Sequence, residues 1–278
     1  MSFIDSVISN QFMQNALLGA ALIGFSNGFF SGFVNLRRSA LSVSALSHTM
    51  LPGIALAILI TRELTQANAF IGALFACLAV GLGSTLVSRN SRIHQDTALS
   101  IIYTTAFAIG IALLPILPVS TSIHDWLFGN IIHISIEDLN LVFIVSAITL
   151  VLSNIFMRPM LLTLFEPNVA AAQGVPVRSM QYLSFTLLIC MLVASLQAVG
   201  TILSVGLLVT PAAIVMLYTD RTSAIFWGGA IIGSLSSIAG IYFAQILNIQ
   251  AGPAIIVTLG SLFLISFLLS PRHGVLKK

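Results

Sequence analysis

About nine long apolar runs, each near the length of one bilayer crossing, follow one another along this chain with only short polar connections between them. They fall at 12–36, 46–60, 67–87, 98–117, 139–157, 180–198, 199–217, 223–247 and 253–269, the second being short for a span of roughly 20 residues. The runs are continuous rather than alternating in segments of about ten residues, so a membrane barrel is excluded and an all-α, polytopic helical bundle is expected. With 58% apolar against 7% charged residues and a mean hydropathy of +1.06, a water-soluble globule is excluded as well. The first run follows Asp5 rather than a basic segment and lacks a small-residue cleavage site, so it is expected to remain as a helix rather than be removed as a signal peptide. The longest polar connections, 118–138 and 158–179, leave no room for a soluble domain, and a single transmembrane domain over 1–278 is expected.

Charge placement gives an orientation. With the amino terminus outside, Arg37, Arg38, Arg89, Arg92, Arg158, Arg178, Arg221, Arg272, Lys277 and Lys278 fall on the cytoplasmic side and only Arg62 outside. This bias predicts an odd number of crossings and a cytoplasmic carboxyl terminus. The sequence pI of about 9.2 then reports topology, and no nucleic-acid partner is expected.

Small residues recur at four-residue spacing, as Gly24, Gly28 and Gly32 in the first run and as Gly229, Gly233 and Ser237 in the eighth. Such faces let helix backbones approach closely, either inside one subunit, which is the preferred reading, or at a dimer seam. Cys77 and Cys190 lie inside apolar runs and read as small hydrophobic residues.

Against this background the stretch 42–48, Ser-Val-Ser-Ala-Leu-Ser-His, followed by Leu51-Pro52-Gly53, stands out. An ionisable group within the bilayer is costly and is a functional hypothesis by default. His48 either lines a path for a polar solute or hydrogen-bonds a nearby carbonyl and fixes a short helix. His124 and His133 fall in the external connection after the fourth run, while His94 and His273 face the cytoplasm.

The energy source is argued from what the chain lacks. A nucleotide-binding loop needs Gly-x-x-x-x-Gly-Lys-Ser/Thr, and the only lysines are Lys277 and Lys278. Ion-coupled carriers usually hold a carboxylate within the bilayer, yet Asp5, Glu63, Asp96, Asp125, Glu137, Asp138, Glu166 and Asp220 all map to connections or span ends. The chain is therefore expected to be a transport subunit rather than an enzyme, driven by a separate ATPase on the cytoplasmic face. The cytoplasmic segment 158–179 is a plausible dock or an ordinary connection. A short helix is expected to start near Pro167 and to stop at Gly174 ahead of Pro176.

Several ordered segments resemble one family: Arg37-Arg38-Ser39-Ala40-Leu41; Ala45-Leu46-Ser47-His48 with Leu51-Pro52-Gly53; Asp96-Thr97-Ala98-Leu99; Leu127-Phe128-Gly129-Asn130-Ile131; Gly174-Val175-Pro176-Val177; Leu207-Leu208-Val209-Thr210-Pro211-Ala212-Ala213; and Ala251-Gly252-Pro253. The set is similar to the metal-type permease subunits of ATP-binding-cassette importers, which carry manganese, zinc or iron, and it covers nearly the whole chain in order. The resemblance implies a homodimer in membrane lipid, an extracytoplasmic metal-binding protein that delivers the ion, and a cytoplasmic ATPase subunit contacting Phe165, Glu166, Pro167, Ala171 and Gly174. It implies no stably bound cofactor and no catalytic residue, the metal being cargo.

One departure matters. Family members commonly carry Gly-Asp before Ala-Leu-Ser-His, and this chain has Val43-Ser44. The metal pathway is thereby reduced to His48 with the hydroxyls of Ser44 and Ser47, which make at most a weak site in one subunit. Two His48 side chains across a dimer pathway would form a transient station. Imidazole suits zinc and iron while manganese favours added oxygen ligands; the Leu-Pro-Gly after the histidine resembles the manganese and iron branches of the family more than the zinc branch, and that resemblance implies manganese narrowly first. The competing expectations are an importer permease for a chelated or non-metal solute, and a carrier or channel acting alone. Asp96 is expected to cap the fourth helix.

Overall fold

The computed structural model describes residues 11–63, 65–116 and 134–270, and every regular element among them is helical. In hydrocarbon a chain must satisfy its backbone groups internally, and a run of apolar residues does so by closing into a helix. In chain order the helices are α1 (Gln11–Leu36), α2 (Ala40–His48), α3 (Met50–Thr61), α4 (Gln66–Asn90), α5 (Gln95–Leu113, extended by a 3-10 turn over Leu114–Ile116), α6 (Ile136–Ile155), α7 (Met157–Phe165), α8 (Pro167–Ala172), α9 (Val177–Val199), α10 (Thr201–Met216), α11 (Thr222–Leu247) and α12 (Ala251–Leu269). Among the described residues 8 segments are long and apolar enough to cross a membrane, and α10 is a shorter apolar helix of 16 residues. Each of the nine predicted runs thus falls on helix over its described residues.

Two expectations are corrected. The second run is not short: α2 and α3 together cover Ala40–Thr61, 22 residues, with a break at Thr49. The serines that precede residue 46 are accommodated in the helix because a hydroxyl can bond a carbonyl one turn back, as Ser47 Oγ does to the Ser44 carbonyl at 2.8 Å. Asp96 is not a cap either. His94 holds the N-cap position of α5 and Asp96 lies in the first turn, where its charge still complements the helix dipole.

The chain divides into two compact units. The first comprises residues 1–43, 122–143 and 194–278. Here α1 packs on α10 and α11, and α12 packs on both α10 and α11. The two small-residue faces meet each other within this one chain: a Cβ placed on Gly24 would lie 2.5 Å from the Gly233 carbonyl oxygen, and one on Gly28 would run into the carbonyl of Gly229. Beside this crossing Phe29, Phe33, Phe226 and Trp227 pack edge-to-face or tilted, with the Phe33 and Phe226 centroids 4.6 Å apart. Polar groups lock α1 to α10 at Pro211, which lacks an N–H inside a helix. The neighbouring Ala212 amide donates to Ser31 Oγ at 2.9 Å, Ser31 Oγ donates to the Gly28 carbonyl at 2.6 Å, and Asn35 Nδ2 donates to the carbonyls of Ser31 and Val209, each at 2.8 Å.

The second unit comprises residues 44–121 and 144–193 and is built on mutual packing of α3, α4 and α5. Gly72 of α4 meets Gly53 of α3, where an added Cβ would stand 2.5 Å from the Gly53 carbonyl oxygen. Gly110 of α5 packs on Pro52, whose Cα would lie 2.8 Å from a Cβ at that position. The Leu51-Pro52-Gly53 segment is therefore the junction of three helices.

Candidate functional site

The break between α2 and α3 follows from Pro52. An amide at position 52 would bond the carbonyl of residue 48, and proline has none to give, while its ring crowds that same carbonyl. Pro52 lies in the first turn of α3, where a missing N–H is tolerated, so the helix restarts rather than ends. Thr49 stitches the gap: its amide and its hydroxyl both donate to the Leu46 carbonyl, at 3.0 and 2.7 Å. Thr49 Oγ1 also lies 3.0 Å from Cys77 Sγ, and the thiol reaches the Leu46 carbonyl at 3.5 Å. Cys77, read from sequence as a bland apolar residue, belongs to the frame of the break.

The last residue before this break, His48, is exposed, whereas Ser47 and Thr49 on either side are buried. Its ring lies against α5, stacked with Tyr103 at 6.4 Å between centroids and edge-on to Phe107 at 5.7 Å. These two aromatics carried no sequence signal beyond their four-residue spacing on one apolar helix. Ser44, half-buried, stands four residues before His48 and shares its face. Ser47 is separated from them, its hydroxyl spent on the Ser44 carbonyl in a buried setting. The structure thus leaves His48 exposed and Ser44 half-buried at a four-residue spacing on α2, and spends the hydroxyl of the buried Ser47 within the helix.

Chemically, one copy of the site offers an imidazole, a neutral hydroxyl and the His48 carbonyl that Pro52 leaves without its helical donor. Among the described residues no three His, Cys, Asp or Glu side chains gather where they could hold a metal. The described carboxylates, Glu63, Asp96, Glu137, Asp138, Glu166 and Asp220, all lie between helices or in a first turn. Such a donor set suits brief contact with a passing cation rather than storage. His124, His133 and the segment 127–131 lie outside the described residues.

Between α7 and α9 the chain makes the predicted short helix. Pro167 opens α8, and the helix is closed by Gly174 in the left-handed region at φ 78°, its amide donating to the Ala171 carbonyl at 3.0 Å and that of Val175 to the Ala170 carbonyl at 3.0 Å. No Cβ contact would be met at Gly174, so backbone conformation alone asks for glycine there. Ala170 is buried, while Phe165, Glu166, Pro167, Ala171 and Gly174 are exposed, Phe165 to 52%.

Residues 9–270 match the ABC 3 transport family. The chain belongs to this family. The manganese transport system membrane protein MntC of Halalkalibacterium halodurans is 38% identical over 278 residues, covering 99% of this chain and 93% of that protein. A probable iron transport system membrane protein of Haemophilus influenzae is 31% identical over 270 residues, with 97% and 94% covered. Among solved structures, PsaBC from Streptococcus pneumoniae in complex with Fab matches with a TM-score of 0.86 at 36% identity, over 99% of this chain and 98% of that one. As a member of the family with these helices, the chain is an integral protein of the bacterial cytoplasmic membrane, and the resemblance read from its motifs holds over its length.

Proposed function

We propose that this chain is the membrane permease of an ATP-driven importer for divalent transition-metal ions, with manganese first and iron or zinc after it. The observation that carries this reading is the exposed imidazole of His48 at a proline-made helix break, in a chain 38% identical to a manganese transport membrane protein. Broken membrane helices expose carbonyl oxygens to cations at transport sites, and a station with a carbonyl and a hydroxyl beside one imidazole supplies the oxygen ligands that manganese favours. Two copies related by a dimer axis would present two such half-sites to one ion, and neutral ligands keep the binding weak enough for release.

In this reading the amino terminus is external and the carboxyl terminus cytoplasmic, as the arginine bias favours. An extracytoplasmic binding protein loads the ion, a cytoplasmic ATPase subunit engages the segment 158–179 through Phe165, Glu166, Pro167, Ala171 and Gly174, and its ATP-driven closure alternates access to His48. The exposed apolar surface of Phe165 and Val169, on a helix of 6 residues and its lead-in, supports that dock.

The test is ATP-dependent uptake of manganese, iron and zinc into proteoliposomes holding the chain with its ATPase and binding protein, comparing native protein with His48→Ala. Uptake of one ion that collapses in the variant, with assembly and thermal midpoint intact, is expected. Uptake unchanged by the substitution would make His48 a structural residue, and uptake of no free ion would turn the reading to a chelated or non-metal solute.

A further inference from the structure

At the end of the second unit where α4 finishes and α9 begins, Arg89, Asn90, Arg178, Gln181 and Tyr182 line an open cleft of about 510 Å³. No carboxylate lines it. Arg89 is held in place: Nη2 donates to Gln181 Oε1 at 2.7 Å, Nη1 to the Tyr182 hydroxyl at 3.4 Å, and the guanidinium sits 4.9 Å from the centre of the Tyr182 ring. A guanidinium has five N–H donors, so several remain for a ligand. Arg178 is exposed and has no polar partner among the described residues.

The depth of the cleft identifies its occupant. It lies at the terminus of a 25-residue apolar helix, and Leu86, one turn back from Arg89 toward the span and part of the cleft lining, is 57% exposed. Guanidiniums at the rim and aliphatic surface immediately below reproduce the layering of a phospholipid, with phosphate in the headgroup zone and acyl chain in the hydrocarbon. Two cations in one cleft with no carboxylate in its lining attract an anion, and a bilayer offers anionic headgroups beside the end of a membrane helix.

We propose that this cleft binds the phosphodiester headgroup of an anionic phospholipid, through Arg178 and the pinned Arg89, with an acyl chain along Leu86. Arg178 lies at the end of the segment 158–179 that the proposed function gives to the ATPase subunit, so the lipid stands at the edge of that dock, beyond the residues named for the contact. This assignment does not depend on what the protein transports.

Binding is read by titrating the purified full-length chain in neutral detergent with fluorescent phosphatidylglycerol, and with phosphatidylcholine as the uncharged comparison. Arg178→Gln, which leaves the Arg89 ties to Gln181 and Tyr182 intact, is expected to weaken phosphatidylglycerol binding about five-fold. Arg178→Lys is expected to keep most of it, and Arg221→Gln, a cation at the start of α11, to change nothing. Unaltered binding in Arg178→Gln overturns the site, and an equal loss in Arg221→Gln reduces it to general surface charge. Competition by soluble glycerol phosphate as strong as by the lipid would assign the cleft to a soluble anion, and loss of ATPase co-purification with lipid binding intact would assign it to a protein contact. Either result overturns the lipid assignment.

Discussion

Cys77 Sγ lies 3.0 Å from Thr49 Oγ1, at the gap where the second membrane segment breaks beside His48. A thiol in a neighbouring helix and a hydroxyl in the gap share the Leu46 carbonyl, so the break is framed by side chains and not left to fluctuate. Thr49→Val keeps the shape and removes the hydroxyl. It is expected to lower stability by about 0.5–2 kcal/mol in thermal unfolding in detergent. An unchanged midpoint would mean that Pro52 alone sets the break.

The α3–α4 contact supplies a paired prediction. Gly72→Val puts a branched side chain where even a Cβ meets the Gly53 backbone, and is expected to cost about 1–3 kcal/mol or to block folding. Gly83→Ala, on the same helix α4 with nothing within 4 Å of its Cβ, is expected to stay within about 0.5 kcal/mol of native or to gain slightly from helix propensity. Equal midpoints for the two variants would refute the close crossing.

Ser31 is the acceptor for the amide beside Pro211 in a water-poor interior. Ser31→Ala removes that acceptor and its bond to the Gly28 carbonyl, and is expected to cost about 0.5–2 kcal/mol, measured by chemical or thermal unfolding. Ser31→Thr, which retains the hydroxyl, should lose less, and parity of the two variants would assign the effect to packing.

Gly174→Ala forces a side chain into the left-handed region, at a cost of about 1–2 kcal/mol confined to the end of α8. The thermal midpoint of the bundle should hold while the ATPase subunit is retained less well in pull-down of the assembled complex. Full retention would show that α8 does not carry the contact.

Much of this was legible beforehand because hydrocarbon imposes a simple rule: an apolar run of sufficient length becomes a helix, whatever its neighbours. The spacing of Gly24 and Gly28 and of Gly229 and Gly233 likewise announced close packing, and Pro167 and Gly174 announced α8, since both residues act through their own backbone geometry. Tyr103 and Phe107 were not legible, for aromatic residues on an apolar helix look alike whether they face lipid or a histidine. Nor was the difference between Ser44 and Ser47, which have the same chemistry and are told apart only by how deeply the surrounding helices bury each.

The sequence by itself determined the class of the protein, the positions of its helices, its family and the identity of the residue most costly to place in a membrane, because each is a property of local composition or order along the chain. Only the tertiary structure decided that Leu51-Pro52-Gly53 is a three-helix junction, that Cys77 braces the break, and that Arg89 and Arg178 share one cleft. Those facts depend on which faces of distant segments meet, and in an interior where nearly every surface is equally apolar, shape and the few available hydrogen bonds make that choice.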